Sequence, residues 1–330
     1  GHLTRRFGAV TMSQIALVIS GLALMATASG TLPIITGSAI AAGFGYGLAT
    51  PAASQILAKI SQPKRRGVVF SVKQSTVSLG GLIAGLIVPA LVIGFGWKAA
   101  TFCLGLTVLT ACILIHPLRR SQDETQLTQL TTLNAPWHPI RYVLRHPRLR
   151  VLALTALTFA AAQNSTNAIF VTFVVETMGM PLVLAGLAFS IMQVAGMTTR
   201  VFLGWISDQF ISATRLMGVV GLLIAMVLTI LPFMNASWPT ILIYLLSGLI
   251  GAFVMGWSGV YLAEIARIVR QEDVATATAG TVFFSFLGAA LGPTLFSLIL
   301  SGTGNYTSAF ITIAAISGSV GLLILATQDR

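Results

Sequence analysis

The segment Gly204-Trp-Ile-Ser-Asp-Gln-Phe210 matches the opening of the chain, Gly1-His-Leu-Thr-Arg-Arg-Phe7, at an offset of 203 residues. At an offset of 208, the triplet AKI at 58–60 matches ARI at 266–268. The order and nearly constant offset of these matches indicate two related halves. Internal repeats of this kind are usual in membrane transporters, in which the solute site lies between the repeats near the membrane midplane.

The composition of the chain is that of a membrane protein. Of its 330 residues, 55% are hydrophobic and only 8% are charged, and the mean hydropathy is +0.90. Soluble proteins carry about 25% charged residues, so most of this surface must face lipid. Ten apolar stretches have the length of about 20 residues that a membrane-spanning helix needs. They cover residues 9–29, 32–57, 67–94, 97–117, 148–175, 181–204, 214–235, 238–263, 274–302 and 305–327.

The distribution of charge predicts the orientation. Among the 19 Lys and Arg residues, all except Lys73 and Lys98 fall on one side, with Arg200 and Arg215 counted there. This is the positive-inside pattern, which places both ends of the chain in the cytoplasm of a multi-pass inner-membrane protein. A nucleic-acid-binding face would not alternate between loops, so the net charge of +11 does not indicate nucleic acid.

A long polar stretch at 118–147 predicts a cytoplasmic linker between a bundle at 1–117 and a bundle at 148–330. The second bundle holds six predicted helices and the first only four. Because residues 148–203 have no counterpart before Gly1, we expect two further N-terminal helices in the complete protein, giving six plus six.

The loop motif identifies a family. The opening of the chain up to Gly8 resembles G-x-x-x-D-R-x-G-R-R, the loop signature of a known family. The segment 204–208 resembles the start of the same signature. Two further segments are similar to a Gly/Pro-rich helix motif of the same family, and they contain Gly81, Gly85, Pro89, Gly288, Gly292 and Pro293. The sequence thus resembles the major facilitator superfamily over essentially all its length. The stretches 70–81 and 256–267 resemble its bacterial cyanate/nitrate-permease-like branch.

The resemblance implies an all-α fold of two six-helix bundles, here without the first two helices, and alternating access by rocking of the bundles. It also implies gating residues, because the acid of the loop motif helps to latch the cytoplasmic gate. Arg5 replaces that acid in the first half and Asp208 keeps it in the second. The predicted gating set is Gly1, Arg5, Arg6, Gly8, Gly81, Gly85, Pro89, Gly204, Asp208, Gly288, Gly292 and Pro293. For the glycines, close packing of helices is the alternative role.

Lys73 is the leading solute-binding candidate, with Gln74 beside it. It lies about 10 Å along its helix from Arg66, at 1.5 Å per residue, and a charge inside the membrane points to function. The alternative is a lysine that reaches back to the interface.

Other polar and aromatic side chains lie at the middle of predicted helices. Asn164 and Asn167 share a face of the seventh helix of the complete fold, Gln193 lies on the eighth, and Trp257, Tyr261 and Glu264 share a face of the tenth. Hydrogen bonds to solute and bonds between helices are both open roles for the amides. Trp257 and Tyr261 fit a cavity wall, and the alternative is an interfacial belt or simple packing. Glu264 fits a local ion pair with Arg267 or Arg270, and the alternative is proton coupling. Tyr46 and Gln55 are weaker cavity candidates.

These residues predict a secondary transporter of a small solute, with an organic or inorganic anion favoured. The alternatives are a neutral-solute or drug efflux transporter and a non-transporting receptor or intramembrane enzyme. We expect no enzymatic activity, no cofactor, no metal and no nucleic acid. The expected partners are the solute and the lipid bilayer, with a coupling ion as an open further partner, and the protein is expected to be a monomer.

Overall fold

The computed structural model describes residues 9–118 and 137–328. Four predicted gating residues, Gly1, Arg5, Arg6 and Gly8, lie outside these residues. The side chains of Tyr46 and Gln55 are likewise outside the described set.

Every regular element within the described residues is helical. The helices are α1 (Ala9–Thr27), α2 (Leu32–Ile60), α3 (Arg66–Leu114), α4 (His138–Arg145), α5 (Pro147–Met178), α6 (Leu182–Gln209), α7 (Ala213–Ile230), α8 (Thr240–Ile250), α9 (Ser258–Ile268), α10 (Val274–Thr303) and α11 (Tyr306–Gln328). In a hydrocarbon environment a helix satisfies all its own backbone hydrogen bonds, which explains this uniformity.

The backbone departs from regular α-helical hydrogen bonding at two notable places. Within α3, Gly96 has φ 79°, which glycine adopts without strain, and it divides the helix into the two predicted spans. Between α8 and α9 the segment Gly251–Met255 is π-helical, so the predicted span 238–263 is one interrupted helix. Residue 251 must be glycine, because a Cβ there would overlap the backbone of Met192 on α6.

Long apolar helices confirm the predicted class of fold. Among the described residues, six helices are long and apolar enough by themselves to cross a membrane, and each predicted apolar stretch coincides with a helix. The protein is therefore an all-α, multi-pass membrane protein.

The chain divides into two compact units, which are described separately. The first comprises residues 1–56 and 87–138. In it α1 packs closely on the second part of α3, where a Cβ at Gly21 would lie 2.8 Å from the side chain of Leu109. The side chain of Gln14 also donates to the carbonyl oxygen of Cys112 over 3.2 Å.

The second unit comprises residues 57–86 and 139–330, and its main packing pairs are α5 with α10 and α7 with α11. Its core is continuous and apolar, with Phe159, Phe170 and Phe296 fully buried. The predicted bundle boundaries at 117 and 148 stay a prediction.

The glycines of the Gly/Pro-rich segments lie at close helix contacts. A Cβ on Gly292 would lie 2.5 Å from the carbonyl oxygen of Ala161, and one on Gly288 would overlap the carbonyl of Leu157. A Cβ on Gly81 would lie 2.7 Å from the side chain of Gln193. Pro89 and Pro293 lie inside α3 and α10, and the only interruption of α3 is at Gly96. The glycines therefore pack helices together, a role compatible with gating.

We expect Gly288→Ala to lower the thermal unfolding midpoint of the purified protein, because overpacking costs about 1–3 kcal/mol. Gly302→Ala is the matched control on the same helix, since a Cβ at Gly302 meets nothing within 4 Å. Equal midpoints for the two variants would contradict this account of the close contact.

Candidate solute-binding and gating residues

Lys73 and the buried Arg200 both bond to Gln74. The Nζ of Lys73 donates to the side-chain oxygen of Gln74 over 2.8 Å, while a guanidinium nitrogen of Arg200 donates to the Gln74 backbone carbonyl. Lys73 forms no ion pair with any of the described residues. The second unit therefore holds two cationic side chains close together inside its helices.

The assignment of Arg200 to the loop charges is wrong. This residue lies within α6, a helix of 28 residues, and only 1% of its surface is exposed. Its Nε and one terminal nitrogen donate to the carbonyl oxygen of Met255, over 3.1 and 2.6 Å. Met255 ends the π-helical segment, where the regular backbone ladder is interrupted. Arg200 therefore stabilises a backbone group that the break in the helix would leave unsatisfied.

The predicted amides bond within and between helices. Gln193 on α6 is buried and donates to the Oδ1 of Asn167 on α5 over 3.2 Å. Asn164 donates to the carbonyl of Ala160 on its own helix over 2.9 Å. The bond between Gln193 and Asn167 supports a structural role for this pair, although Asn167 stays half-buried.

The predicted aromatic pair is brought together with an amide. The rings of Trp257 and Tyr261 lie 5.4 Å apart, on one face as expected. The indole nitrogen of Trp257 donates to the side-chain oxygen of Gln163 on α5 over 3.0 Å, and Phe159 packs edge-on against the indole. Both predicted aromatic side chains are almost completely buried, so the indole is fixed in position.

Asp208, the acid of the loop motif, binds the first turn of α3. Its two carboxylate oxygens accept the backbone N–H groups of Gly67 and Val68, each over 3.0 Å, and it also pairs with Arg267. A carboxylate at a helix N-terminus is favourable because the free N–H groups there carry partial positive charge. Gly204 permits this approach, since a Cβ there would lie 2.6 Å from the carbonyl oxygen of Gly67.

Further charged groups extend this cluster. Arg267 also lies 3.5 Å from Glu264, whose carboxylate accepts a hydrogen bond from Thr214 over 3.2 Å. Arg66 donates to the carbonyl of Ala266 over 2.7 Å. The predicted local ion pair of Glu264 is therefore formed with Arg267, while Arg270 pairs with Glu272 and Asp273. Asp208, Arg267, Glu264, Thr214 and Arg66 together join α3, α6, α7 and α9.

Sequence reasoning missed three contributors: Arg200, Arg267 as the partner of Asp208, and Gln163 as the partner of Trp257. Arg200 lies within the apolar stretch before Gly204, and this position was the signal that it is not a loop residue. The count of charges on each side of the membrane nevertheless included it among the loop residues. The repeat already paired Arg267 with Lys59, whose side chain is outside the described set, but no local pattern links either residue to an acid.

Comparison with known proteins decides the family. The sequence profile of the Major Facilitator Superfamily matches residues 1–266 of the chain. The chain belongs to this superfamily. Membership establishes a secondary transporter fold that handles small solutes in a lipid bilayer, and it confirms that the chain is not an enzyme.

Relatives within the superfamily are distant in sequence. The "Membrane sensor protein UhpC" of Escherichia coli is 22% identical over 306 residues, covering 86% of this chain and 68% of the relative. The "Hexuronate transporter" of Bacillus subtilis is 22% identical over 345 residues, covering 98% and 80%. At this identity the superfamily is secure, while the solute is not fixed by relatedness.

A solved superfamily structure has the same fold. The crystal structure of the E. coli fucose:proton symporter FucP superposes with a TM-score of 0.68 at 15% identity, covering 100% of this chain and 86% of that one. This likeness confirms the predicted superfamily fold. The closer resemblance to the cyanate/nitrate-permease-like branch stays a prediction.

We expect Asp208→Asn and Arg267→Gln to show strong energetic coupling in a double-mutant cycle of the free energy of unfolding. The Asp208 side chain is only 2% exposed, and contacting residues in one network couple by about 0.5–3 kcal/mol. Reversible unfolding in mixed micelles measures this coupling.

The matched control is the pair Arg270→Gln and Glu272→Gln, whose nitrogen and oxygen lie 2.9 Å apart with side chains 78% and 67% exposed. Exposed pairs contribute at most about 1 kcal/mol. Coupling no larger for Asp208 and Arg267 than for this pair would show that the cluster does not hold the helices together.

Proposed function

We propose that this superfamily member moves a small organic anion across the inner membrane by alternating access, with Lys73 as the principal charge contact. The proposal rests on one observation: Lys73 lies inside the helices of the second unit and forms no ion pair among the described residues.

An unpaired cation in a membrane interior is costly to keep, so it is retained where it serves a purpose. Arg200, which bonds to the backbone of the neighbouring Gln74, adds positive potential at the same place. Binding of an anionic solute beside Lys73 offsets the repulsion between Lys73 and Arg200, whereas binding of a cationic solute adds to the positive charge. The electrostatics therefore favour an anionic solute.

The neutral side chains favour an anion that also carries hydroxyl groups. Gln163, Asn164 and Asn167 lie half-buried on α5, and each amide keeps hydrogen-bonding capacity beyond the bond it makes within the protein. Hydroxyl groups of a solute bond to such half-exposed amides, while the buried indole of Trp257 holds Gln163 in position. The hexuronate named for the Bacillus subtilis relative is a hydroxylated carboxylate of this kind.

The cluster around Asp208 is proposed as the gate latch. Gly204, Gly81, Gly85, Gly288 and Gly292 supply close helix contacts near which the helices move, and Pro89 and Pro293 weaken the backbone ladder locally. Arg5, Arg6, Gly1 and Gly8 are proposed as the equivalent latch of the first half.

The protein is further proposed to act as a monomer with a cytoplasmic C-terminus, and a coupling ion stays part of the proposal.

We expect Lys73→Ala to abolish uptake of hexuronate into proteoliposomes, because the charge that offsets the carboxylate is lost. Lys98→Ala is the matched control, since this second off-pattern lysine is exposed and lies beside Trp97. Unchanged uptake by the Lys73 variant would assign Lys73 to the membrane interface instead.

We expect Gln163→Leu to weaken uptake of hydroxylated anions by about tenfold while changing uptake of short unsubstituted monocarboxylates little. A site that hydrogen-bonds a solute hydroxyl group binds a solute without that hydroxyl group more weakly. Each buried polar group that is left unpaired costs about 1–3 kcal/mol of binding free energy. Competition between glucuronate and propionate measures the effect. An equal loss for both solutes would assign Gln163 to the support of Trp257 alone.

A second candidate function is a sensor, because a relative of similar identity is named a membrane sensor protein. A sensor binds the anion at the same side chains without moving it. Solute binding in a thermal-shift screen, combined with no counterflow in proteoliposomes, identifies a sensor. Both signals together identify a transporter, and a response to neutral sugars or cationic drugs only would replace the anion proposal with the alternative solutes.

A further inference from the structure

Helix α4 is a short helix immediately before α5, and one face of it is anchored. Val143 is completely buried, and a Cβ on Gly280 of α10 would lie 2.6 Å from a methyl carbon of Val143. The carbonyl of Pro139 lies against the same glycine. α4 therefore packs directly on α10 and does not project freely into solvent.

A second anchor for α4 lies at Asp273, immediately before the first residue of α10. The hydroxyl group of Tyr142 is close to Asp273, and partial burial together with the negative charge and hydrogen bond of Asp273 raises the pKa of this tyrosine. Asp273 also pairs with Arg270 over 3.2 Å. Asp273 is thus already bound to other side chains.

The packing contact sets the depth of α4 in the membrane. Gly280 is six residues beyond Val274, the first residue of α10, which is about 9 Å along the helix axis. The apolar span of this helix begins at Thr276. The contact with α4 therefore lies within the first two turns of α10, at the end of this helix where its apolar span begins.

The face of α4 turned away from α10 is basic and partly apolar. Arg141 and Arg145 are exposed and share a face at a spacing of four residues, with Leu144 beside them at 52% exposure. Arg148 and Arg150 follow in the first turn of α5 and are also exposed. Within the part of the chain that the structure describes, none of these four arginines forms an ion pair.

We propose that Arg141, Leu144, Arg145 and Arg148 form a docking surface for anionic phospholipid headgroups of the adjacent leaflet. The charge complementarity is direct, since a guanidinium group binds phosphate oxygens with two parallel hydrogen bonds. Leu144 extends into the acyl boundary, as the apolar face of an interfacial helix does. The proposal is independent of the identity of the transported solute.

The test uses the purified full chain in nanodiscs of phosphatidylcholine with a minority of phosphatidylglycerol, and native mass spectrometry of the lipids retained on extraction. We expect preferential retention of phosphatidylglycerol, and we expect Arg141→Gln with Arg145→Gln to reduce that preference by about thirtyfold, because each basic residue near an anionic surface contributes roughly fivefold. Arg141→Lys with Arg145→Lys should keep part of it.

The matched control is Lys64→Gln with Arg215→Gln, which removes the same charge from exposed positions elsewhere and should leave the preference intact. An equal reduction in the two Gln double variants would overturn the proposal, because it would show a response to net charge alone. Equal retention of both lipids by the unaltered protein, as expected if this face binds an acidic protein partner, would overturn it as well.

Discussion

In the hydrocarbon core of a bilayer each backbone polar group needs a partner within the protein. This constraint explains the helices, and it also explains how the π-helical interruption between α8 and α9 is stabilised. At Gly251–Met255 the ladder changes to a π-helix, and Arg200 supplies donors to the carbonyl of Met255. A buried arginine is thus held by backbone carbonyls at the break.

That arrangement has an electrostatic consequence. The same arginine bonds to the carbonyl of Gln74, and Lys73 bonds to the side chain of Gln74. A residue that satisfies a broken helix therefore also contributes positive potential near the leading solute-binding candidate. A change of Arg200 would therefore alter both the support of the interrupted helix span and the charge near Lys73.

A different balance of charge applies near the helix ends. Around Asp208 the charges are paired, with a carboxylate shared between the first turn of α3 and Arg267. Paired charges at helix ends can be separated into water at moderate cost, which is compatible with the proposed role of this cluster as a gate latch. Around α4 the arginines are exposed and form no ion pair among the described residues. The same residue types thus carry the three roles proposed for these regions: solute binding, gating and membrane contact.

Much of the fold was predictable from the sequence, because hydrophobic length has a direct physical relation to bilayer thickness. The ten apolar stretches coincide with helices, and the interruption between 94 and 97 is at Gly96. The sequence also singled out Asp208, and it placed Trp257 and Tyr261 on one face through the periodicity of 3.6 residues per turn. These properties are local, so they are visible along one helix.

The tertiary structure alone decided which helix each polar side chain meets. Arg200 counted as a loop charge until its burial against Met255 and Gln74 was seen, and neither Gln163 nor Arg267 carried a local signal of its partner. Such contacts join residues more than 50 positions apart, and their geometry depends on how helices cross. By itself, the sequence determined a multi-pass helical protein, and it predicted two related halves. Only packing decided which charges are paired, because pairing depends on distance in space and not on spacing along the chain.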